Sequence, residues 1–127
     1  MPVKTAEGFL SALLPQWQSL LQGWSSSGEL TAAAQEALQL NGVPKPLKRL
    51  VGQWASGDFR SLPPIELLSA QDISGAMGAY AISTGTIYLN RDWLLTASQE
   101  QVQAVLTEEL RHHLARCQLR RRLASIT

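Results

Sequence analysis

The sequence contains a single cysteine, Cys117, and no long apolar run. One cysteine cannot form an intramolecular disulfide, so the chain is not a disulfide-stapled scaffold. No apolar segment approaches the roughly 20 residues that a membrane-spanning helix needs, so we expect no membrane span. Glu7 interrupts the apolar part of the N-terminus, which makes a poor signal peptide. We therefore expect a cytoplasmic protein by default, with export by an uncleaved signal as the alternative.

Several binding motifs are also absent. The chain has no phosphate-binding glycine loop, no calcium-loop spacing, no zinc-finger spacing and no internal repeat. It has 127 residues, of which 45% are hydrophobic and 17% are charged. This composition is that of an ordinary globular protein, and it excludes a wholly disordered chain and a collagen-like repeat. The length predicts one domain, with room for a subdomain.

Charge is distributed unevenly along the chain. Residues 111–127 contain no acidic residue and five arginines, namely Arg111, Arg116, Arg120, Arg121 and Arg122. The remaining six of 11 basic residues and all 10 acidic residues lie in residues 1–110, whose net charge is therefore −4. Such a basic tail suits an acidic partner, but a solvated helix end is the favoured interpretation. Nucleic acid is not the expected partner, because glycine–aromatic interleaving is absent and the body is acidic.

Apolar spacing predicts three helices in the first part of the chain. Apolar residues recur three and four positions apart over residues 5–24, 29–40 and from about residue 45 to Gly57. Pro15 lies inside the first pattern and predicts a kink or a split in that helix. Asn41-Gly42 is a favoured helix stop and predicts the end of the second.

Strand patterns begin after residue 64. Residues 65–68 form a short apolar run, and period-two alternation in residues 79–83 and 86–90 predicts a β-hairpin. Ser98 and Gln101 match a capping box that opens a helix from about residue 99 to at least residue 117. We therefore predict an α+β fold, in which about three N-terminal helices pack on a two- or three-stranded sheet crossed by a long helix.

The same patterns predict how the chain is organised. We expect a helical N-terminal subdomain over residues 1–60. A segment of strand, hairpin and long helix should cover residues 61–117, and residues 118–127 should form a basic tail.

The long helix contains the one cluster of residues with catalytic chemistry. Residues four apart share a helix face, so Glu108 lies over His112 and Glu109 over His113. A carboxylate and an imidazole on one face can bind a divalent metal, or they can form a charged hydrogen bond. The pairs alone do not distinguish these two outcomes.

The segment Glu-Glu-x-x-His resembles the motif helix of zincin metallopeptidases, which reads His-Glu-x-x-His. In that family two histidines one turn apart bind zinc, and the glutamate between them is the general base on the metal-bound water. The resemblance implies that Glu108 and His112 are metal ligands, that Glu109 is the base, and that zinc is the cofactor. His113 and Tyr88 are auxiliary candidates, and Tyr88 or Tyr80 would polarise the oxyanion.

The preceding residues extend the resemblance over about half of the chain. Residues 85–90 read glycine, apolar strand and asparagine before a turn and a capped helix, as in compact zincin-like domains. Residues 62–113 are also similar to a zincin-like segment of large cyanobacterial proteins with calcium-binding repeats. In zincins the edge of this hairpin pairs with the peptide substrate, so the resemblance implies a peptide-binding edge.

Three departures from the family pattern predict a loss of activity. A glutamate replaces the first histidine at Glu108, Arg111 occupies a position that is often small, and no third ligand follows. A catalytic zinc site normally has three protein ligands. We therefore expect a degenerate zincin-like domain that retains no zinc on purification. The competing interpretation is a module that binds a protein or peptide partner through its apolar helices or through the basic patch Arg116, Arg120, Arg121 and Arg122.

Overall fold

The computed structural model describes the backbone of residues 5–126 and the side chains of residues 5–116. The fold in this range is α+β, as predicted, with helices first, then a small mixed sheet and a long helix. Its elements are α1 (Ala6–Ser27), α2 (Glu29–Ala37), α3 (Lys45–Ala55), β1 (Ile65–Leu68), β2 (Gly78–Ala81), β3 (Thr86–Asn90), α4 (Arg91–Leu94) and α5 (Gln99–Ile126). None of the helices described combines the length and the hydropathy that crossing a membrane requires.

Helix α1 begins with a side-chain cap and continues through its proline. The Gly8 amide donates to Thr5 Oγ1 at 3.0 Å, which satisfies one amide at the helix start. The predicted split at Pro15 is wrong, because α1 is one helix of 22 residues. Pro15 is exposed, so water can satisfy the carbonyl whose helical partner the proline removes.

Helix α2 is shorter than its sequence pattern predicts. It ends at Ala37, and Gln39 adopts a left-handed conformation with φ of 53°. Asn41-Gly42 lies beyond this turn and is therefore not the stop. Helix α3 begins and ends as predicted, with Pro44 at its N-cap and Gly57 in the left-handed conformation just after it.

The sheet has the strand order β1–β3–β2. Strand β3 is central and forms the predicted antiparallel hairpin with β2, with Tyr80 opposite Ile87. On its other side β3 pairs in parallel with β1, with Leu67 opposite Leu89. Both edges of β3 are paired, and the strand is buried at four of its five residues.

Asn90 connects the end of β3 to the following helix. Its Oδ1 accepts hydrogen bonds from the amides of Asp92 and Trp93, both at 3.0 Å, and so caps α4. Its Nδ2 donates to the Ala76 carbonyl at 3.0 Å in the loop before β2. One buried side chain therefore fixes the position of this loop relative to β3 and α4.

The capping box of α5 is confirmed. The Ser98 amide donates to Gln101 Oε1 at 2.9 Å, and the Gln101 amide donates to Ser98 Oγ at 3.2 Å. These reciprocal bonds satisfy two amides at the helix start and fix the first residue of α5. The helix then continues for 28 residues, past the minimum length predicted.

Two compact units make up the chain. The sheet unit comprises Met1–Trp17 and Pro63–Leu110, and the helical unit comprises Gln18–Leu62 and Arg111–Thr127. Buried side chains of the sheet unit include Leu10, Leu13, Trp17, Ile87, Leu89, Leu94, Val102, Leu106 and Leu110. Those of the helical unit include Leu21, Leu30, Leu47, Trp54 and Leu114. The predicted division at residues 60 and 117 stays a prediction.

Candidate functional site

Helix α5 packs closely against the sheet at Gly78, the first residue of β2. A Cβ atom on Gly78 would lie 2.6 Å from Val105 Cγ1 and 3.5 Å from Glu109 Cγ. Two non-bonded carbon atoms do not approach to 2.6 Å. Any residue other than glycine would therefore require Val105 or the backbone to move. The close approach places the side chain of Glu109 directly beside the hairpin.

Strand register decides which tyrosine is on the same side of the sheet as α5. Residues directly opposite each other share a face, and successive residues of a strand alternate between faces. Gly78 faces α5, so Tyr80, two residues later, belongs to that face. Tyr88 is paired with Ala79 and belongs to the opposite face. The structure thus brings Tyr80, but not Tyr88, to the α5 side of the sheet.

The four polar residues of the motif divide into a buried and an exposed pair. Glu109 and His113 are each only 9% exposed. Glu108 and His112 are exposed. In the sequence the two pairs are equivalent, since each has a carboxylate one turn before an imidazole. The structure places the candidate base in a desolvated position and the two candidate ligands at the surface.

Burial also affects the chemistry of His113. It lowers the pKa of the imidazole below its ordinary value, because an apolar environment disfavours the charged form. The positive charge of Arg116 lowers the pKa further. Both effects favour the uncharged imidazole, in which one ring nitrogen is a donor and the other an acceptor.

Trp17 forms a hydrogen bond with Thr107, the residue just before the motif. Trp17 Nε1 donates to Thr107 Oγ1 at 3.2 Å, and this hydroxyl donates to the Gln103 carbonyl at 2.8 Å. Trp17 is fully buried, so its indole N–H needs a partner inside the protein. This bond joins α1 to the middle of α5 within the sheet unit and fixes the helix next to Glu108 and Glu109.

No group of three or more histidine, cysteine, aspartate or glutamate side chains within residues 5–116 is arranged to hold a metal ion. Glu108 and His112 are therefore two candidate ligands for which neither the sequence nor this part of the structure supplies a third. The side chains of Cys117, Arg120, Arg121 and Arg122 lie outside the described residues. Arg116, the first residue of the predicted basic patch, is half-buried.

The structure assigns Gly78 and Asn90 roles that differ from those predicted from the sequence. Gly78 directly precedes the predicted strand of residues 79–83, whereas in the structure it is the first residue of β2 and packs against α5. A glycine directly before alternating Ala79 and Tyr80 is a signal of close backbone approach. Asn90 is part of the resemblance, and its structural role is that of a helix cap. The pattern of asparagine followed by Arg91 and Asp92 is a recognisable N-cap signal.

Comparison with models of known protein families, with curated protein sequences and with solved structures finds no match to this chain. The candidate site therefore rests on its own geometry. The buried Glu109 beside Gly78 is the geometric feature most relevant to the resemblance of the motif helix.

Proposed function

We propose that this chain is a degenerate zincin-like metallopeptidase domain that is inactive as a peptidase and that serves in binding a protein or peptide. The supporting observation is the position of Glu109. This residue occupies the position of the general base in the motif, is buried, and lies against the first residue of the hairpin strand β2. Strand β2 is at an edge of the sheet, where the resemblance expects a peptide.

The proposed loss of activity follows from the ligand positions. A zincin base acts on water that the metal has already made acidic, so catalysis requires the metal site to be complete. Only Glu108 and His112 match the ligand positions of the motif, and both are exposed. Two ligands on an exposed helix surface bind zinc weakly, because water competes for the ion and no third ligand closes the site.

Metal analysis of untagged protein tests this proposal. The protein is loaded with excess zinc, desalted and analysed by elemental mass spectrometry, alongside the variant His112→Ala. We expect far less than one zinc per chain in both samples. Retention of one zinc per chain by the wild type, and its loss in His112→Ala, would show an intact metal centre and overturn the proposed degeneracy.

A peptidase assay in the presence of added zinc tests the same proposal at the level of chemistry. The substrates are a fluorogenic peptide mixture and unfolded casein, and the matched variant is Glu109→Gln, which keeps the size of the side chain. We expect no turnover by either protein above the rate of buffer with zinc. Zinc-dependent cleavage by the wild type that falls at least about 100-fold in Glu109→Gln would identify an active general base.

A further inference from the structure

The fold separates charge more strongly than the sequence order does. The sheet unit contains two of the 11 basic residues and seven of the 10 acidic residues, so its net charge is −5. The helical unit contains the other nine basic and three acidic residues, so its net charge is +6. The five C-terminal arginines thus belong to the same compact unit as the basic residues of α3.

Helix α3 presents three cations on one face, which we call the α3 cation face: Lys45, Lys48 and Arg49. Positions i, i+3 and i+4 are neighbours on a helix surface, and all three side chains are exposed. The opposite side of α3 includes the buried residues Leu47 and Trp54. Burial of the apolar side of the helix therefore directs the three charges to solvent.

These three cations differ from Arg60, which belongs to the same unit. Arg60 is also exposed, but its guanidinium makes two bonds of 2.9 Å to the carboxylate of Asp58. Among the described residues, none of the three on the α3 cation face forms an ion pair. Their charges are thus available to an external anion, whereas that of Arg60 is compensated within the protein.

We propose that the helical unit binds the phosphate backbone of nucleic acid through the α3 cation face. Backbone binding requires exposed lysines and arginines, because its free energy comes from the release of counterions condensed on the phosphates. It requires no aromatic platform and no reading of bases. The helical unit meets this requirement, because its net charge is +6 and its three exposed α3 cations form no ion pair within the part of the chain whose side chains the structure describes.

An anionic membrane is a weaker fit to the same charges. Helices that bind at a membrane interface insert an apolar face and place their cations beside the headgroups. The apolar side of α3 is already buried in the protein, as Leu47 and Trp54 show. The α3 cation face therefore offers charge without an inserting surface. Binding at the α3 cation face involves neither the sheet unit nor a metal and so does not depend on the proposed zincin-like function.

The test is fluorescence anisotropy of a short labelled DNA duplex titrated with the full chain at several potassium chloride concentrations. We expect the logarithm of the binding constant to fall linearly with the logarithm of the salt concentration. Lys48→Gln should weaken binding and reduce the magnitude of the slope by about 0.9, the value for one phosphate contact. Substituting all three residues of the α3 cation face should reduce it about three times as much.

Arg60→Gln is the matched control, because it changes the net charge of the same unit by the same amount. Its slope should remain that of the wild type, since the charge of Arg60 is already compensated by Asp58. Circular dichroism establishes that the variants are folded, and Lys48→Arg should retain the wild-type slope.

Three results would overturn the proposal. The first is the absence of salt-dependent binding by the wild-type chain. The second is an equal reduction of the slope in Lys48→Gln and Arg60→Gln, which would indicate net charge rather than the α3 cation face. The third is binding to vesicles of phosphatidylcholine and phosphatidylserine without binding to DNA, which would identify a lipid surface as the partner.

Discussion

Gly78 sets the distance between helix α5 and the hairpin, and with it the position of Glu109. Its neighbours on α5 are a β-branched side chain, Val105, and the stem of Glu109. Val105 has few rotamers available in a helix, so it cannot easily move away from a new methyl group. The observed geometry of the candidate site therefore requires a residue without a Cβ atom at position 78.

We expect Gly78→Ala to lower the free energy of unfolding by about 1–3 kcal/mol, the range for overpacking a core contact. Urea denaturation measures the change. Gly52→Ala is the control, since no heavy atom lies within 4 Å of the Cβ position at Gly52 in α3. That control should be neutral or gain about 0.5–1 kcal/mol, because alanine is the better helix former.

A double variant tests whether Val105 is the cause. If the contact is responsible, Gly78→Ala combined with Val105→Ala should cost less than the sum of the two single changes, as a double-mutant cycle measures. Exact additivity would contradict the proposed contact.

Asp58 and Arg60 form an ion pair in which Arg60 is exposed and Asp58 is half-buried. The hydrogen bonds from Arg60 lower the pKa of Asp58 from 3.8 to about 2. Because the folded-state pKa is the lower one, the interaction stabilises the protein above pH 3.8 and is lost as the pH falls through about 2. Arg60→Gln should raise the pKa of Asp58 towards 3.8, as carbon-detected NMR titration would show.

Lys48→Gln removes the same charge from the same unit and serves as the comparison. It should leave the titration of Asp58 unchanged, because Arg60 is the residue whose interactions lower the pKa of this carboxylate. If the pKa of Asp58 is unchanged in Arg60→Gln, the Arg60 side chain does not lower it. Asp58 would then not be shown to compensate the charge of Arg60.

At the scale of elements, Asn90 is the junction of strand β3, helix α4 and the loop before β2. It accepts two amide hydrogen bonds at the start of α4 and donates one to the Ala76 carbonyl. If the Asn90 side chain were removed, the two amides and the Ala76 carbonyl would lose their hydrogen-bond partner. Because Asn90 is buried, bulk water would not directly replace it.

We expect Asn90→Ala to reduce the free energy of unfolding by about 1–3 kcal/mol, from the lost cap and the unsatisfied buried groups. Asn90→Asp keeps the acceptor for the cap but loses the donor to Ala76, so its effect should be smaller. Thermal and urea unfolding compare both variants with Asn41→Ala, a change at an exposed position after α2. Equal stability of Asn90→Ala and the wild type would contradict the role of Asn90 as a junction.

At the scale of the whole molecule, the sheet unit is assembled from two distant parts of the chain. Residues 5–17 contribute buried side chains to the same unit as residues 63–110, including Leu10, Leu13 and Trp17. Trp17 also donates a hydrogen bond to Thr107, 90 residues away. The sheet and its long helix therefore depend on the first helix of the chain.

Deletion of residues 5–17 should abolish the cooperative unfolding of the sheet unit. Burial of each large apolar side chain stabilises a fold by about 1.5–3 kcal/mol, so the loss of three is comparable with the whole free energy of unfolding of a small domain. Circular dichroism melting and amide NMR dispersion measure the outcome. A deleted chain whose Tyr80 and Ile87 amides remain dispersed and protected would show that the hairpin folds without α1.

Local patterns account for the part of the fold that the sequence predicts. The hairpin, α3 and the start of α5 are specified by alternation, by glycines and by caps that act within a few residues. Of the kink or split predicted at Pro15, the split is wrong because the helix continues on both sides of the proline, and the kink stays a prediction. The predicted end of α2 is wrong because the helix ends at Ala37, before a left-handed Gln39. The parallel pairing of β1 with β3 also lies beyond local patterns, since it joins strands separated by the loop and β2.

The sequence by itself determined the α+β composition, the helical register of the motif and the excess of arginine at the C-terminus. Only the tertiary structure decided that Glu109 is buried against Gly78 while Glu108 and His112 are exposed. It likewise decided that the C-terminal arginines and the α3 cation face belong to one unit. The physical reason is that burial and the grouping of charge depend on contacts between residues far apart in the chain, which spacing along one helix does not encode.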